Sequence, residues 1–254
     1  MKIVLLAGNS ESSIYLYNKL NKKFIIDYVL IEERVSTLKL IKSRIKKFGL
    51  LKVINQLLFQ TVIVFLLKLF SKSRIEEVKK QFELENIEIP SKKLININSV
   101  NSNECLKFLK EINPGLIIVN GTRIISKNIL NNVPALFINT HVGITPEYRG
   151  VHGAYWALVN NDAQNCGVTV HKVDEGIDTG DLIKQSTIKI TTKDNFVTYP
   201  YIQTGVGILL MEETINKIKN NNLNCYRKVN PISNLYTHPT FTEYLYNYFI
   251  KNVK

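Results

Sequence analysis

Short apolar runs alternate with helically spaced apolar residues along most of the chain. Residues 2–6 form an apolar run that ends at a Gly-Asn-Ser turn, residues 11–22 repeat apolar positions at helical spacing, and residues 24–31 are apolar again. This order predicts strand, helix and strand, which is how a doubly wound parallel sheet begins. We therefore expect an α/β fold with a Rossmann-like doubly wound sheet.

The same alternation returns after residue 85. Further strands are predicted at 94–97, 116–119, 135–139, 167–173 and 182–190, and helices at 102–112, 126–130 and 153–159. A long helix is predicted over 196–220, with an interruption near Pro200 because proline breaks a helix interior. We divide the chain into a core at 1–190 and a C-terminal helix with an aromatic-rich extension at 191–254.

Residues 34–80 do not fit this rhythm. Basic and apolar residues are interleaved over 38–52, and residues 53–67 then form a run of 15 without a charged side chain. The run is shorter than the roughly 20 apolar residues of a spanning helix. We treat 34–80 as a basic and apolar helical insertion. Our first interpretation of this segment is a pair of helices that pack on the sheet or on a partner subunit. A segment at 38–70 on an anionic membrane and a spanning helix are the alternatives.

Composition narrows the class of protein. Apolar residues make up 45% of the 254, which supports a folded core. The net charge of +12 is compatible with nucleic acid, anionic lipid or a phosphorylated substrate, and also with lysines that merely occupy exposed positions.

Cys105, Cys166 and Cys225 show no metal-binding or pairing pattern, which suits a reducing compartment. The first apolar run is too short for a signal peptide. We expect a cytoplasmic protein, membrane-associated if 38–70 contacts lipid.

Three polar residues form a candidate catalytic group. Asn139 and His141 end an apolar run and lie two positions apart, so that in a strand both side chains point to one face. Asp178 follows in a glycine-containing loop. An amide can donate to an oxyanion, an imidazole can move a proton near neutral pH, and a carboxylate can orient that imidazole. The three together indicate acyl transfer, whereas His171 is interpreted as a structural histidine.

The stretch between residues 116 and 185 resembles the N10-formyltetrahydrofolate-dependent formyltransferases, and the sugar N-formyltransferases among them most closely. The resemblance rests on Asn-Gly-Thr-Arg-Ile-Ile at 120–125, Asn-Thr-His at 139–141, Pro-Glu-Tyr-Arg-Gly at 146–150 and the run at 167–180 that ends in Asp-Thr-Gly. It implies that 1–190 is a formyltransferase catalytic core. It also implies that the family's catalytic residues correspond to Asn139, His141 and Asp178.

The resemblance further implies N10-formyltetrahydrofolate as co-substrate, with no metal. Backbone groups in two segments would pair with the pterin edge. These folate-binding residues are Arg123, Ile124, Ile125, Val173, Asp174, Glu175 and Ile177. For the acceptor we expect contacts from Tyr148, Arg149, His152 and Trp156, since arginine pairs with diphosphate and aromatic rings stack on bases. Packing roles stay open for His152 and Trp156.

Three amines compete as the acceptor. Methionyl-tRNA formyltransferases carry a C-terminal β-barrel, and only about 70 residues follow Gly180, so we do not expect nucleic acid as a partner. Glycinamide ribonucleotide enzymes bind phosphate with a glycine-rich loop, where this chain has Glu11. We therefore expect a small-molecule acceptor, an amino sugar that is nucleotide-linked and serves polysaccharide biosynthesis.

Two alternatives come from other functional classes: a non-catalytic folate or sugar-nucleotide binding protein, and a membrane-surface protein. We also expect a homodimer.

Overall fold

One mixed β-sheet, covered by helices on both faces, organises the computed structural model, which describes residues 1–254. The strands are β1 (Ile3–Gly8), β2 (Tyr28–Glu32), β3 (Leu94–Ile97), β4 (Leu116–Asn120), β5 (Leu136–His141), β6 (Tyr148–Gly150), β7 (Gly167–Lys172), β8 (Leu182–Thr187) and β9 (Asn234–Tyr236). The helices are α1 (Glu11–Asn21), α2 (Thr37–Phe48), α3 (Leu50–Leu58), α4 (Val64–Phe70), α5 (Lys72–Phe82), α6 (Asn103–Ile112), α7 (Lys127–Asn132), α8 (Gly153–Val159), α9 (Tyr199–Lys219) and α10 (Phe241–Lys251).

The strand order in the main sheet is β3-β2-β1-β4-β5-β7-β8. The first five strands in this order are parallel, and β7 and β8 then continue the sheet in antiparallel pairings. The direction of winding reverses between β1 and β4, which is where ligands bind in open α/β sheets. The predicted α/β doubly wound fold is confirmed. A separate parallel pair joins β6 to β9.

The central strand β1 is buried on both faces. Its residues alternate between two hydrophobic clusters, with Leu5 in one and Leu6 in the other. Helices α1 and α9 cover the first face, while α6 and α7 cover the second. This burial explains why the strand reads as a continuous apolar run and not as an alternating pattern.

Helix α9 is continuous, which corrects the predicted interruption near Pro200. The helix begins at Tyr199, so the proline occupies its first turn. The backbone N–H groups of a first turn have no partner inside the helix, and proline's fixed φ suits that position. Pro200 therefore starts this helix and does not break it.

The insertion consists of four helices, α2 to α5, and not the two that we predicted. A short π-helical turn, Phe59–Ile63, joins α3 to α4, and the resulting helix over Leu50–Phe70 is long and apolar enough to cross a membrane by length and composition. The insertion packs on α9 and α10 more than on the sheet. Phe59 contacts Tyr244 of α10, and Phe82 of α5 lies against Gly205 of α9. Helix α2 buries no residue.

Candidate active site

A cavity of about 430 Å³ opens at the carboxyl ends of β4 and β5, beside the first turn of α1. Asn139, His141, His171 and Asp178 line one wall, and residues 119–125 line another. The size suits an organic ligand, for which pockets of about 300–1,000 Å³ are usual. The cavity is adjacent to the reversal between β1 and β4, where the topology leads us to expect a ligand.

Asn139 is oriented by His171 on the neighbouring strand. The two residues are directly paired across β5 and β7, and the Asn139 amide Nδ2 lies 3.2 Å from His171 Nε2. The other ring nitrogen, Nδ1, lies 2.6 Å from the Lys172 carbonyl oxygen, which can only accept, so Nδ1 carries the proton. In the neutral ring Nε2 is then an acceptor for the amide. The second N–H of that amide remains free for a ligand in the cavity.

His141 is held at both ring nitrogens. Its Nε2 donates to the Tyr148 carbonyl oxygen at 2.8 Å, and its Nδ1 lies 3.2 Å from Asp178 Oδ2. Both neighbours are acceptors, so an imidazolium would donate to each. The chain reverses closely beneath this ring, because a methyl group on Gly143 would collide with the Tyr148 carbonyl and lie 2.7 Å from His141 Nε2. Glycine is therefore required here for the imidazole to keep both contacts.

Asp178 is presented by a tight loop in a left-handed backbone conformation, with φ of 53°. Its Oδ2 accepts from the Gly150 N–H at 3.2 Å, and Arg149 donates to the Ile177 carbonyl at 3.1 Å. Burial alone would raise the pKa of this carboxyl group, but the contact with His141 outweighs burial and holds the pKa well below its usual range. The group is therefore ionised at neutral pH.

The two predicted folate-binding segments flank the catalytic residues. Six of the seven predicted residues line the larger cavity: Arg123, Ile124, Ile125, Val173, Asp174 and Ile177. The Arg123 guanidinium is paired with buried Glu32 at 2.7 Å, so its charge is neutralised and it shapes the loop. Glu175 is the exception, because its side chain pairs with Lys127 at 2.7 Å on the surface, outside the cavity.

The four predicted acceptor residues do not line one common cavity. The Tyr148 hydroxyl donates to Asp162 at 2.8 Å, and the Trp156 indole donates to the Thr237 carbonyl at 3.0 Å. Both rings stack on Tyr236, which gives them a packing role, and their contact with an acceptor stays a prediction. Arg149 supports the loop of Asp178 and lines neither of these two cavities, and its contact with a diphosphate stays a prediction.

His152 is the one predicted acceptor residue that faces a cavity. It lines a second, smaller space of about 270 Å³, which shares Ser12 and Thr204 with the larger one. The residues around it include one carboxylate, one lysine and several aromatic rings: Glu11, Tyr15, Lys68, Phe196 and Tyr201. The His152 Nε2 lies 2.9 Å from His238 Nδ1. The two cavities are thus adjacent.

His171 is the site residue that our sequence interpretation assigned to a structural role. It faces the larger cavity and contacts both Asn139 and Asp178, with 3.7 Å between its Nε2 and Asp178 Oδ1. The missing information was the pairing of β7 with β5. Once Asn139 is placed opposite His171, the period of two in a strand puts both on the face of the cavity.

Comparison with known families matches residues 52–201 to the formyl transferase family. This is more than half of the chain, and Asn139, His141, His171 and Asp178 all lie within it. The fold and the site thus define a formyltransferase-type α/β protein. The chain belongs to the formyl transferase family.

Similar proteins occur among curated sequences and among solved structures. A methionyl-tRNA formyltransferase from Caldanaerobacter subterraneus is 33% identical over 133 residues, which are 52% of this chain and 43% of that protein. The chain spans less than half the length of the curated relatives that it matches first.

Among solved structures, a 4-N formyltransferase from Francisella tularensis has a TM-score of 0.56 at 17% identity and covers 92% of this chain and 76% of its own. An N-formyltransferase from Helicobacter canadensis, in complex with folinic acid and dTDP-3-aminofucose, has a TM-score of 0.56 at 19% identity and covers 93% and 71%. At these identities the likeness shows a shared fold.

Proposed function

We propose that this protein transfers a formyl group from N10-formyltetrahydrofolate to the primary amine of a nucleotide-linked amino sugar. The observation that carries the proposal is the convergence of Asn139, His141 and Asp178 on one cavity. Membership of the family supports the formyl chemistry. The neighbour crystallised with folinic acid and dTDP-3-aminofucose supports this pair of ligand classes.

The Asn139 amide is assigned to the oxyanion. The acceptor amine attacks the formyl carbon, a carbon–nitrogen bond forms, and the carbonyl oxygen becomes negative in a tetrahedral intermediate. The free N–H of Asn139 donates to that oxygen, while His171 keeps the amide from rotating. Collapse of the intermediate breaks the bond between the formyl carbon and N10 of the folate.

Proton movement is assigned to His141, which requires a substrate group or a water to replace one of its two contacts, with the Tyr148 carbonyl or with Asp178. The attacking amine loses one proton and N10 gains one, and an amine that arrives as ammonium releases a further proton to solvent. Asp178 is a weak base because its pKa is so low, so its part is to stabilise positive charge on the imidazolium or the ammonium. General acid–base help of this kind contributes about 10²–10⁴ in rate.

The two adjacent cavities are assigned to the two substrates. The larger one, walled by the segments around Arg123 and Ile177, takes the folate. The smaller one takes the acceptor sugar, since Glu11 offers a carboxylate for an ammonium group and Lys68 a cation for a phosphate. Phe196 and Tyr201 add flat apolar surface.

Methionyl-tRNA is the second candidate acceptor. The curated relatives of this name are 33–38% identical over their aligned parts, which favours it. An aminoacyl-tRNA would also use the basic surface, and its binding would weaken steeply with salt. A nucleotide sugar carries two charges on one diphosphate and would respond far less.

The decisive experiment is a direct assay of formyl transfer. The protein is incubated with N10-formyltetrahydrofolate and a panel of nucleotide-linked amino sugars, with methionyl-tRNA in a parallel reaction, and each acceptor is examined by mass for the gain of one formyl unit. We expect a sugar product, and a loss of about 10²–10³ in rate in Asn139→Ala. Asn222→Ala, at an exposed loop position, is the matched control. Formylation of tRNA alone would refute the assigned acceptor, and equal rates in Asn139→Ala and the control would refute the assigned chemistry.

A further inference from the structure

A continuous apolar stripe runs along the outer side of the helix Leu50–Phe70. Its members are between 42 and 83% exposed: Leu51, Ile54, Leu58, Val62, Phe65 and Leu69. Their spacings of three and four residues keep them on one face of the helix. The stripe extends over roughly 27 Å at 1.5 Å per residue. Exposed apolar surfaces of this extent mark interaction sites in soluble proteins.

The opposite side of the same helix is attached to the body of the protein. Val53 and Phe59 are fully buried, and Gln56 donates to the His238 carbonyl at 2.6 Å. Asn55 exchanges two hydrogen bonds with Thr242 of α10, at 3.2 and 3.3 Å. A bilayer-spanning orientation would break all these contacts. The helix therefore presents its stripe sideways, along its length, and a partner must lie parallel to its axis.

The charge next to the stripe is of a single sign. Residues 37–70 contain seven lysines and arginines and no acidic residue, so they account for seven of the formal net charges of +12. Helix α2 carries five of these cations, and Leu38 is 74% exposed among them. A two-fold contact with a second copy of this chain would bring the two cationic surfaces together. A flat partner that is apolar beneath and anionic at its surface satisfies both features.

We propose that the face formed by α2, α3 and α4 binds the surface of an anionic lipid bilayer, with the helix Leu50–Phe70 lying in the plane of the headgroups. The stripe enters the boundary between headgroups and acyl chains, and the lysines of α2 pair with anionic headgroups. Val64 and Lys68 of this helix also line the smaller cavity. The docked protein therefore holds that cavity beside the headgroups.

Co-sedimentation with vesicles tests the proposal on the full chain. One set of vesicles contains phosphatidylcholine alone, and the other contains equal amounts of phosphatidylcholine and phosphatidylglycerol. We expect binding to the anionic set that weakens as salt is raised, because surface charges are screened. A remainder of binding should persist at high salt from the apolar stripe.

Two variants separate the two parts of the face. Leu51→Glu/Phe65→Glu places charge in the stripe, and we expect at least about a tenfold loss of affinity since each side chain would otherwise be buried in lipid. Lys42→Gln/Lys46→Gln removes two cations, and we expect about a 25-fold loss on anionic vesicles. Ile25→Glu, at a site that is 75% exposed and outside the segment, is the matched control and should bind as the unaltered chain does.

Circular dichroism of each variant verifies folding, so that loss of binding is assigned to the surface. The absence of sedimentation with either set of vesicles would overturn the proposal. So would binding that the stripe variant leaves unchanged. A dimer in solution that Leu51→Glu/Phe65→Glu converts to a monomer, without vesicle binding by either, would show that a second copy covers the face. Resistance of the expressed chain to alkaline extraction from membranes would show a spanning helix instead.

Discussion

Replacement of His171 by phenylalanine tests how the oxyanion donor is held. Phenylalanine keeps a planar ring in a position where the histidine is 3% exposed, but it removes the acceptor of the Asn139 amide and the donor to the Lys172 carbonyl. Each such hydrogen bond contributes about 0.5–1.5 kcal/mol. If the free energy of the hydrogen bond that orients the Asn139 amide is lost from the transition state, kcat falls by about tenfold.

The predicted loss is smaller than that expected for Asn139→Ala, where the oxyanion donor itself is removed at a cost of about 10²–10³ in rate. We expect KM for the acceptor to change little in His171→Phe, because the side chain lines the larger cavity only. His171→Gln retains an amide oxygen as an acceptor and should recover part of the rate.

A double-mutant cycle decides whether His171 works through Asn139. Formyl transfer is measured under saturating substrates for each single variant and for the double variant. If His171 acts by orienting the amide, its replacement costs nothing further once Asn139 is alanine. Additive losses would refute this reasoning and would indicate that His171 acts on Asp178, which lies 3.7 Å from its Nε2.

Two further predictions concern stability. Arg74 pairs with the fully buried Asp194 carboxylate through two hydrogen bonds of 2.8 and 3.0 Å. Arg74→Met leaves that carboxylate unpaired, so the free energy of unfolding, measured in urea, should fall by about 3–5 kcal/mol. Arg227→Met, at an exposed arginine–aspartate pair, should change it little. Burial, with a contribution from the adjacent His238, lowers the pKa of His152 to about 3, and burial with the charge of Arg44 lowers that of His238 to about 4, so both rings are neutral in the fold at neutral pH. The unfolded chain binds these protons below about pH 6.5, so stability should fall as pH drops from about 6.5 towards 4. Thermal melting of His238→Gln should show a shallower fall, and an unchanged slope would count against the assignment.

Local sequence patterns were sufficient to predict most of the helices and strands, including the five parallel strands of the sheet. Continuous apolar runs such as that of β1 arise because both faces of the strand are buried, and this physical cause is visible in the sequence. The spacing of Asn139 and His141 carried the same kind of information, since a period of two fixes a common face. The domain boundaries at 190 and 191 stay a prediction.

Long-range pairing could not be deduced from local patterns. The role of His171 depends on β7 lying antiparallel to β5, and nothing within residues 167–173 specifies that neighbour. Tyr148 and Trp156 were predicted from their ring chemistry to contact the acceptor, and both rings stack on Tyr236, which is about 80 residues distant in the chain. An aromatic ring's partner is a matter of tertiary packing, and composition gives no guide to it.

The meaning of the high positive charge depends on where that charge lies. Arg123 is the one cationic side chain that lines the larger cavity, and Glu32 neutralises it. The reaction centre therefore offers a carboxylate, imidazoles and an amide, which suit an amine and a developing oxyanion better than a polyanion. Seven of the cations lie instead on residues 37–70, where they flank apolar side chains. Lys68 reaches the smaller cavity, and the other six cations of this segment lie beside an exposed apolar surface, so most of this charge is separated from the reaction centre.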